Sequence, residues 1–466
     1  MFSLHPLIIL VVGILTVILM ITLLRMNAFI ALITSAMVVS LLSPGDLAEK
    51  MSRVATAFGS TAGSIGIVIA LAVVIGKCMM DSGAADRIVR GFLSLLGEKR
   101  SSTSLMASGF VLSIPVFFDT VFYLLVPLAR SMHRRTKKHY LKYAMAIAAG
   151  GVVTHSLVPP TPGPLVMAEN LGIEIGVMIM VGTLVSLPAA VVGMFFSGYA
   201  DRRMNIQMRP LGGELSEPEP LEDHQLPGLL MSLVPIILPV LLVSTDTIVR
   251  AMAEGAAEGS GINRAAGITA VLGDVNLAML MSAAIAMWML KSKRALTNAQ
   301  LAKVVEVSLM SGGVIILITA GGGAFGAMLK AAQIGPAIEN LFKGDSPHEA
   351  GPASGMMLLV LGVLIASLMK IAQGSTTVAM ITSSAMIAAM VTSTKTLGYH
   401  PAYLATAIGG GSMIGSWMND SGFWIFVKMT GLTEAEGLKS WTPLLAIVGF
   451  AAVVVSYLLA LVLPMA

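Results

Sequence analysis

Apolar runs of helix length recur from one end of this 466-residue sequence to the other, and four further apolar stretches are interrupted by polar residues, glycine and proline. Uninterrupted runs fall near 4–24, 28–43, 60–80, 175–198, 227–245, 268–290, 307–329 and 442–463. Each approaches the ~20 residues that a helix needs to cross a hydrocarbon core of about 30 Å. The interrupted stretches are 104–130 (at SIPVFFDT), 141–171 (at THSLVPPTPGP), 354–392 (at KIAQGSTT) and 401–428 (at WMNDSGFW). Only 12% of the chain is charged and 56% is hydrophobic, with a mean hydropathy of +0.86. Soluble domains carry about 25% charged residues, so no water-facing surface can be built from this set. The pattern predicts an all-α polytopic membrane protein and excludes soluble, disordered and fibrous classes.

Basic residues orient the path. Arg87, Arg90, Lys99 and Arg100 precede the first interrupted stretch, and RSMHRRTKKHYLK at 130–142 follows it. With both flanks cytoplasmic, 104–130 is a re-entrant hairpin, 141–171 crosses outward, and 354–392 enters from the opposite face. The positive-inside rule then gives about ten crossings plus two hairpins, with both chain ends outside the cytoplasm. The net charge of +4 reports topology and indicates no nucleic-acid partner. The start, MFSLHPLII, lacks a basic n-region and reads as a retained helix. The lone Cys78 excludes an internal disulfide framework and reads as a small packing residue.

The chain divides into an N-terminal transmembrane helix (1–27), a first repeat (28–200), a cytoplasmic linker (201–226), a connecting helix with an outer loop (227–267) and a second repeat (268–466). Both repeats follow one order: two spans, an interrupted hairpin, a broken helix and a final span. Each crosses an odd number of times, so the copies are inverted. Inverted repeats with paired interruptions point to a transporter whose site lies near the midplane.

Non-helical backbone at membrane depth survives only where it is buried in protein or lines a wet cavity. Pro115, Pro159, Pro160, Pro162 and Pro164 make such breaks in the first half, and Gly374 and Gly422 in the second. A half-helix N-terminus has free N–H groups and partial positive charge, so four converging tips favour a carboxylate. Polar residues cluster at these same breaks: Ser113, Asp119, Thr154, His155, Ser156, Thr161, Lys370, Gln373, Ser375, Thr376, Thr377, Asn419, Asp420 and Ser421. The candidate substrate-binding set is Ser113, Thr154, Thr161, Gly163, Lys370, Gln373, Gly374, Ser375, Thr376, Asn419 and Ser421, with Lys370 complementing the substrate charge. Asp119, Asp420 and His155 are the candidate proton-coupling groups, because ionisable residues inside spans are costly and functional. Each also has a structural reading. Asp119 could cap a helix beginning at Thr120, Asp420 could form a turn, Lys370 could pair with either acid, and His155 could be a neutral histidine at a break.

Gly321, Gly322 and Gly323 read as a helix-packing surface, and the 34 scattered methionines as gap-fillers. No cluster has metal-ligand spacing, and no cofactor is implied. The residues therefore predict alternating-access transport of a small organic acid, coupled to protons or to sodium. A channel needs no inverted pair of hairpins. A membrane-embedded aspartyl enzyme expects Gly-x-Gly-Asp, and the nearest match is Leu272-Gly273-Asp274.

GSIGIVIALAVVIGKCMMDSGAADRI (63–88), FFDTVFYLLVPL (117–128), THSLVPPTPGPL (154–165), KIAQGSTTVAMIT (370–382) and NDSGFW (419–424) resemble motifs of the gluconate permease family, within the ion-transporter superfamily. The resemblance covers nearly the whole chain. It implies proton symport of a sugar acid or related hydroxycarboxylate across the bacterial inner membrane. It also implies a scaffold portion in contact with membrane lipid, a moving portion carrying the hairpins, and a homodimer. The chain departs from the family pattern by Thr161 in place of His, Asp119 in place of Glu, Lys370 in place of Arg, and Trp417-Met418 in place of His-Val.

Overall fold

The computed structural model describes residues 5–97, 100–209, 222–253, 261–334, 337, 352–391, 397–418 and 420–465, and among these it contains helices and no strands. The first half comprises α1 (Pro6–Thr22), α2 (Ala28–Leu42), α3 (Ser52–Ser82), α4 (Ala84–Leu96), α5 (Ser101–Leu112), α6 (Phe118–Thr136), α7 (Tyr140–Leu157), α8 (Pro162–Leu171) and α9 (Ile175–Met204). The second comprises α10 (Leu229–Ala253), α11 (Gly261–Leu272), α12 (Val275–Arg294), α13 (Asn298–Ala331), α14 (Pro352–Gln373), α15 (Thr376–Met390), α16 (Pro401–Gly411), α17 (Ser421–Thr430) and α18 (Glu434–Val462). Seven helical stretches among the described residues are long and apolar enough to cross a membrane, taking the broken pair Tyr140–Leu171 as one.

All four interruptions expected from the sequence are breaks between helices: α5/α6, α7/α8, α14/α15 and α16/α17. Other boundaries moved. The run expected at 268–290 is divided, because Asp274 accepts from the Asn276 and Leu277 N–H groups (3.1 Å each) and starts α12 there. A side chain that satisfies first-turn donors defines a helix start more strongly than hydropathy does. Likewise α13 begins at Asn298, ahead of the apolar run at 307, behind a Thr297–Gln300 capping box. The amphipathic α4 was not foreseen.

Packing explains why some helices look lipid-soluble and others do not. α7 is almost entirely buried, wrapped by α5, α6 and α9. α3 and α13 pack along each other, and the Gly321–Gly323 triplet lies buried within α13, with Gly322 facing Ile381. The halves exchange partners element by element. α2 lies on α13 and α12 on α3; α6 lies on α17 and α15 on α8; α5 packs on α7 as α14 does on α16, and α9 on α18.

Candidate functional site

The helix N-termini at three of the four breaks meet around a cavity of about 200 Å³, and the end of α7 at the fourth adds His155 and Ser156 to its lining. The first contributor is the N-terminus of α6. Phe117 adopts an extended conformation as the N-cap and has no side chain able to cap, so the first-turn N–H groups of α6 carry no side-chain cap. The second is α15. Gly374, at φ 84°, takes the left-handed conformation that glycine adopts without steric cost, and its N–H donates to the Lys370 carbonyl at 2.8 Å. Ser375 then caps α15 by accepting from the Val378 N–H at 3.3 Å. The third is α17, capped by Asp420, whose Oδ1 accepts from the Gly422 N–H at 2.9 Å. Helix N-termini carry partial positive charge, so three aimed at one space make a field that favours an anion.

The fourth tip does not join them. At the start of α8 the Thr161 hydroxyl donates to the carbonyls of His155 (2.9 Å) and Val158 (2.8 Å), closing the break on itself. Pro162 and Pro164 have no N–H to offer. Gly163 lies against Met380, whose Sδ would stand 2.9 Å from a Cβ there. The sequence placed four donor-rich tips at the pocket, and the prolines of PPTPGP make this one donor-poor.

Charge in the site is largely paired. Lys370 is 0% exposed, and its Nζ donates to the Gly374 carbonyl (2.5 Å), Thr376 Oγ1 (2.8 Å) and Asp420 Oδ2 (2.8 Å). Asp420, 8% exposed, also accepts from the Ser416 hydroxyl, which in turn accepts from Trp441 Nε1 at 2.7 Å. One network thus ties the end of α14 to the starts of α15 and α17 and to α18. A buried charge needs such partners, since each ion loses its hydration.

Asp119 differs. It lines the cavity in the first turn of α6, caps nothing because the helix begins one residue earlier, and among the described residues has no hydrogen-bond or ion-pair partner. His155 also lines the cavity; its ring lies 5.6 Å from that of Phe117, and its Nδ1 has no partner among the described residues. Phe118 and Trp441, with ring centroids 5.5 Å apart, form an aromatic wall opposite these polar groups.

Of the residues singled out from the sequence, Asp119, His155, Ser375, Thr376, Asp420 and Ser421 line the cavity, as do Ser156 and Thr377. Lys370 stands behind it, and Gly374 forms the adjoining turn. Thr154 is buried within α7 and bonds back to the Gly150 carbonyl at 3.1 Å. Ser113 is buried at the end of α5, close to Gly151. Asn419 and the side chain of Gln373 lie outside the described residues. Sequence reasoning missed Trp441, Ser416, Val152 and Leu445. A tryptophan within an otherwise apolar span was the single available signal for Trp441.

A sequence profile for GntP family permeases matches residues 5–462. The chain is 32% identical over 457 residues to a gluconate permease of Pseudomonas aeruginosa, covering 97% of each. It is 29% identical over 427 residues to a low-affinity gluconate transporter of Escherichia coli (91% of each). A gluconate permease of Bacillus subtilis is 28% identical over 463 residues, covering 98% of this chain and 100% of that one. Among solved structures, the YdaH transporter of Alcanivorax borkumensis superposes with a TM-score of 0.62 over 99% of this chain and 100% of that one; at 13% identity this shows the fold alone. The chain is a multi-pass membrane protein that belongs to the GntP permease family, a family of transporters and not of enzymes.

Proposed function

We propose that this protein imports gluconate or a related small hydroxycarboxylate across the bacterial inner membrane, by proton symport and alternating access. The observation that carries the reading is the meeting of three helix N-termini around one cavity whose lining includes Asp119, a carboxylate with no ion-pair partner among the described residues. The substrate carboxylate sits against the starts of α6, α15 and α17, where N–H groups and the hydroxyls of Thr377 and Ser421 supply donors. Its hydroxyl groups bond to Ser375 and Ser156, and its carbon chain lies on Phe118 and Trp441. Lys370 offsets the charge of Asp420 and braces the tips, which leaves Asp119 to take the co-transported proton. An ionised Asp119 repels an arriving anion and a protonated one does not. Proton and substrate therefore favour each other's binding, by the same factor in both directions.

Alternating access needs two halves that can trade roles. The exchanged packing of α2, α6 and α9 with α13, α17 and α18 supports inverted repeats, with α5/α6 and α14/α15 as opposed hairpins.

The test is uptake by purified protein in liposomes under an inward pH gradient, with labelled gluconate, glycerate, lactate, 2-keto-3-deoxygluconate and serine. Saturable accumulation of one acid is expected. In Asp119→Asn that acid exchanges across the membrane but no longer accumulates. Accumulation that appears only when sodium is added refutes the proton coupling, and accumulation unchanged in Asp119→Asn refutes the assigned carrier.

A further inference from the structure

Away from the transport cavity, a groove of about 460 Å³ opens where the N-termini of α5 and α7 meet the last turns of α9. Arg100, Lys142 and Arg202 line it, and no described carboxylate does. Several cations elsewhere on the molecule have acidic partners, among them Arg90 with Asp223 at 2.5 Å, Arg209 with Glu436 at 2.6 Å, and Arg250 with Asp246 at 2.6 Å. By contrast, the side chains of Arg100, Lys142 and Arg202 make no hydrogen bond or ion pair among the described residues. The N-terminus of α5, which has no side-chain cap, adds donors to the same corner. The Lys142 stem lies against α9 at Gly198, its Cε 3.7 Å from where a Cβ would stand, an ordinary van der Waals distance.

The groove is amphipathic. Phe195 (72% exposed) and Tyr199 (63% exposed) form its lower edge, and they end a stripe of exposed apolar side chains. Leu184, Leu187, Val191, Phe195 and Tyr199 recur every three or four residues along one face of α9. Fifteen residues of helix span roughly 22 Å, which is longer than one leaflet of a hydrocarbon core of about 30 Å. Three unpaired cations at one end of an exposed apolar track match a molecule with an anionic head and a long hydrocarbon tail. Basic pockets between spans at the cytoplasmic face hold such headgroups.

We infer that this groove is a binding site for an anionic phospholipid, with its phosphate held by Arg100, Lys142 and Arg202 and one acyl chain laid along the α9 stripe. The lipid bridges α5 and α7, which position the transport cavity, to α9.

Native mass spectrometry of protein purified in neutral detergent tests this with phosphatidylglycerol, phosphatidylcholine and glycerol phosphate added separately. Phosphatidylglycerol adducts should persist at activation energies that strip phosphatidylcholine. The triple variant Arg100→Gln/Lys142→Gln/Arg202→Gln should bind phosphatidylglycerol on the order of 100-fold more weakly, from about a fivefold loss per charge. Each single variant should show that fivefold loss, so the inference stands or falls even if the triple variant does not fold. Arg203→Gln, exposed one residue away and outside the groove, should retain the adducts. Phe195→Ala/Tyr199→Ala should weaken them while leaving the oligomeric state unchanged. Equal retention of both lipids overturns the inference, as does binding untouched by the charge variants. Glycerol phosphate binding as tightly as the lipid would make this a soluble-anion site. A shift from dimer to monomer in Phe195→Ala/Tyr199→Ala with adducts intact would assign the stripe to a second copy of the chain.

Discussion

The Lys370–Asp420 pair is the feature of the site whose energetics follow most directly from its geometry. Lys370 lies 50 residues from Asp420 in sequence, is fully buried, and donates three hydrogen bonds, one of them to the carboxylate. Lys370→Met leaves Asp420 with the Ser416 hydroxyl and the Gly422 N–H but no counter-ion. Removing one member of a buried ion pair costs about 3–5 kcal/mol, and the surviving bonds place this case near 3 kcal/mol. Asp420→Asn leaves the ammonium with the Gly374 carbonyl and Thr376, and should cost a similar amount. The double variant buries no charge. Replacing a whole buried pair with neutral groups is often nearly free, so its cost should fall short of the sum of the singles by at least about 2 kcal/mol. Equilibrium unfolding in mixed micelles measures this. Three of the four tryptophans report on the site by fluorescence: Trp417 and Trp424 lie within four residues of Asp420, and Trp441 donates to Ser416. Additive costs within about 0.5 kcal/mol would refute a closed pair and return Lys370 to direct contact with the substrate.

Three further outcomes follow from other contacts. Gly109→Ala places a Cβ 2.7 Å from the Ile147 carbonyl of α7 and should lower stability by about 1–3 kcal/mol, whereas Gly63→Ala, with nothing within 4 Å, should be neutral or slightly stabilising in the same thermal melt. Glu436→Gln breaks the bidentate contact from Arg209 (2.6 and 2.7 Å), yet that pair is partly exposed, so the loss should stay within about 1 kcal/mol and vanish in high salt. Trp441→Phe keeps the aromatic wall but removes the donor to Ser416, worth about 1 kcal/mol; the KM of uptake should rise several-fold, and an unchanged KM would remove Trp441 from the site.

Membrane class, the four interruptions and the polar character of each break were legible in the chain, because their causes are local. Proline deletes a donor wherever it stands, and glycine admits a positive φ wherever the chain must turn, as at Gly374. An apolar run near 20 residues can satisfy its backbone in lipid as a helix and in few other ways. Which breaks would meet was not legible. The exclusion of α8 depends on Met380 arriving from the other half of the chain and on where the Thr161 hydroxyl finds its acceptors. Asp119 reads as a cap in one dimension. It is free for other use because α6 starts at Phe118 with Phe117 as its N-cap, which leaves Asp119 inside the first turn. Lys370 had two possible acidic partners, and only packing brings its ammonium to Asp420 and not Asp119. Trp441 sits in a long apolar helix that hydropathy describes fully, and its polar role exists solely because Ser416 lies within reach of its indole N–H. Covalent and nearest-neighbour physics determined where this chain must bend; the close approach of residues far apart in sequence decided which bends became a site.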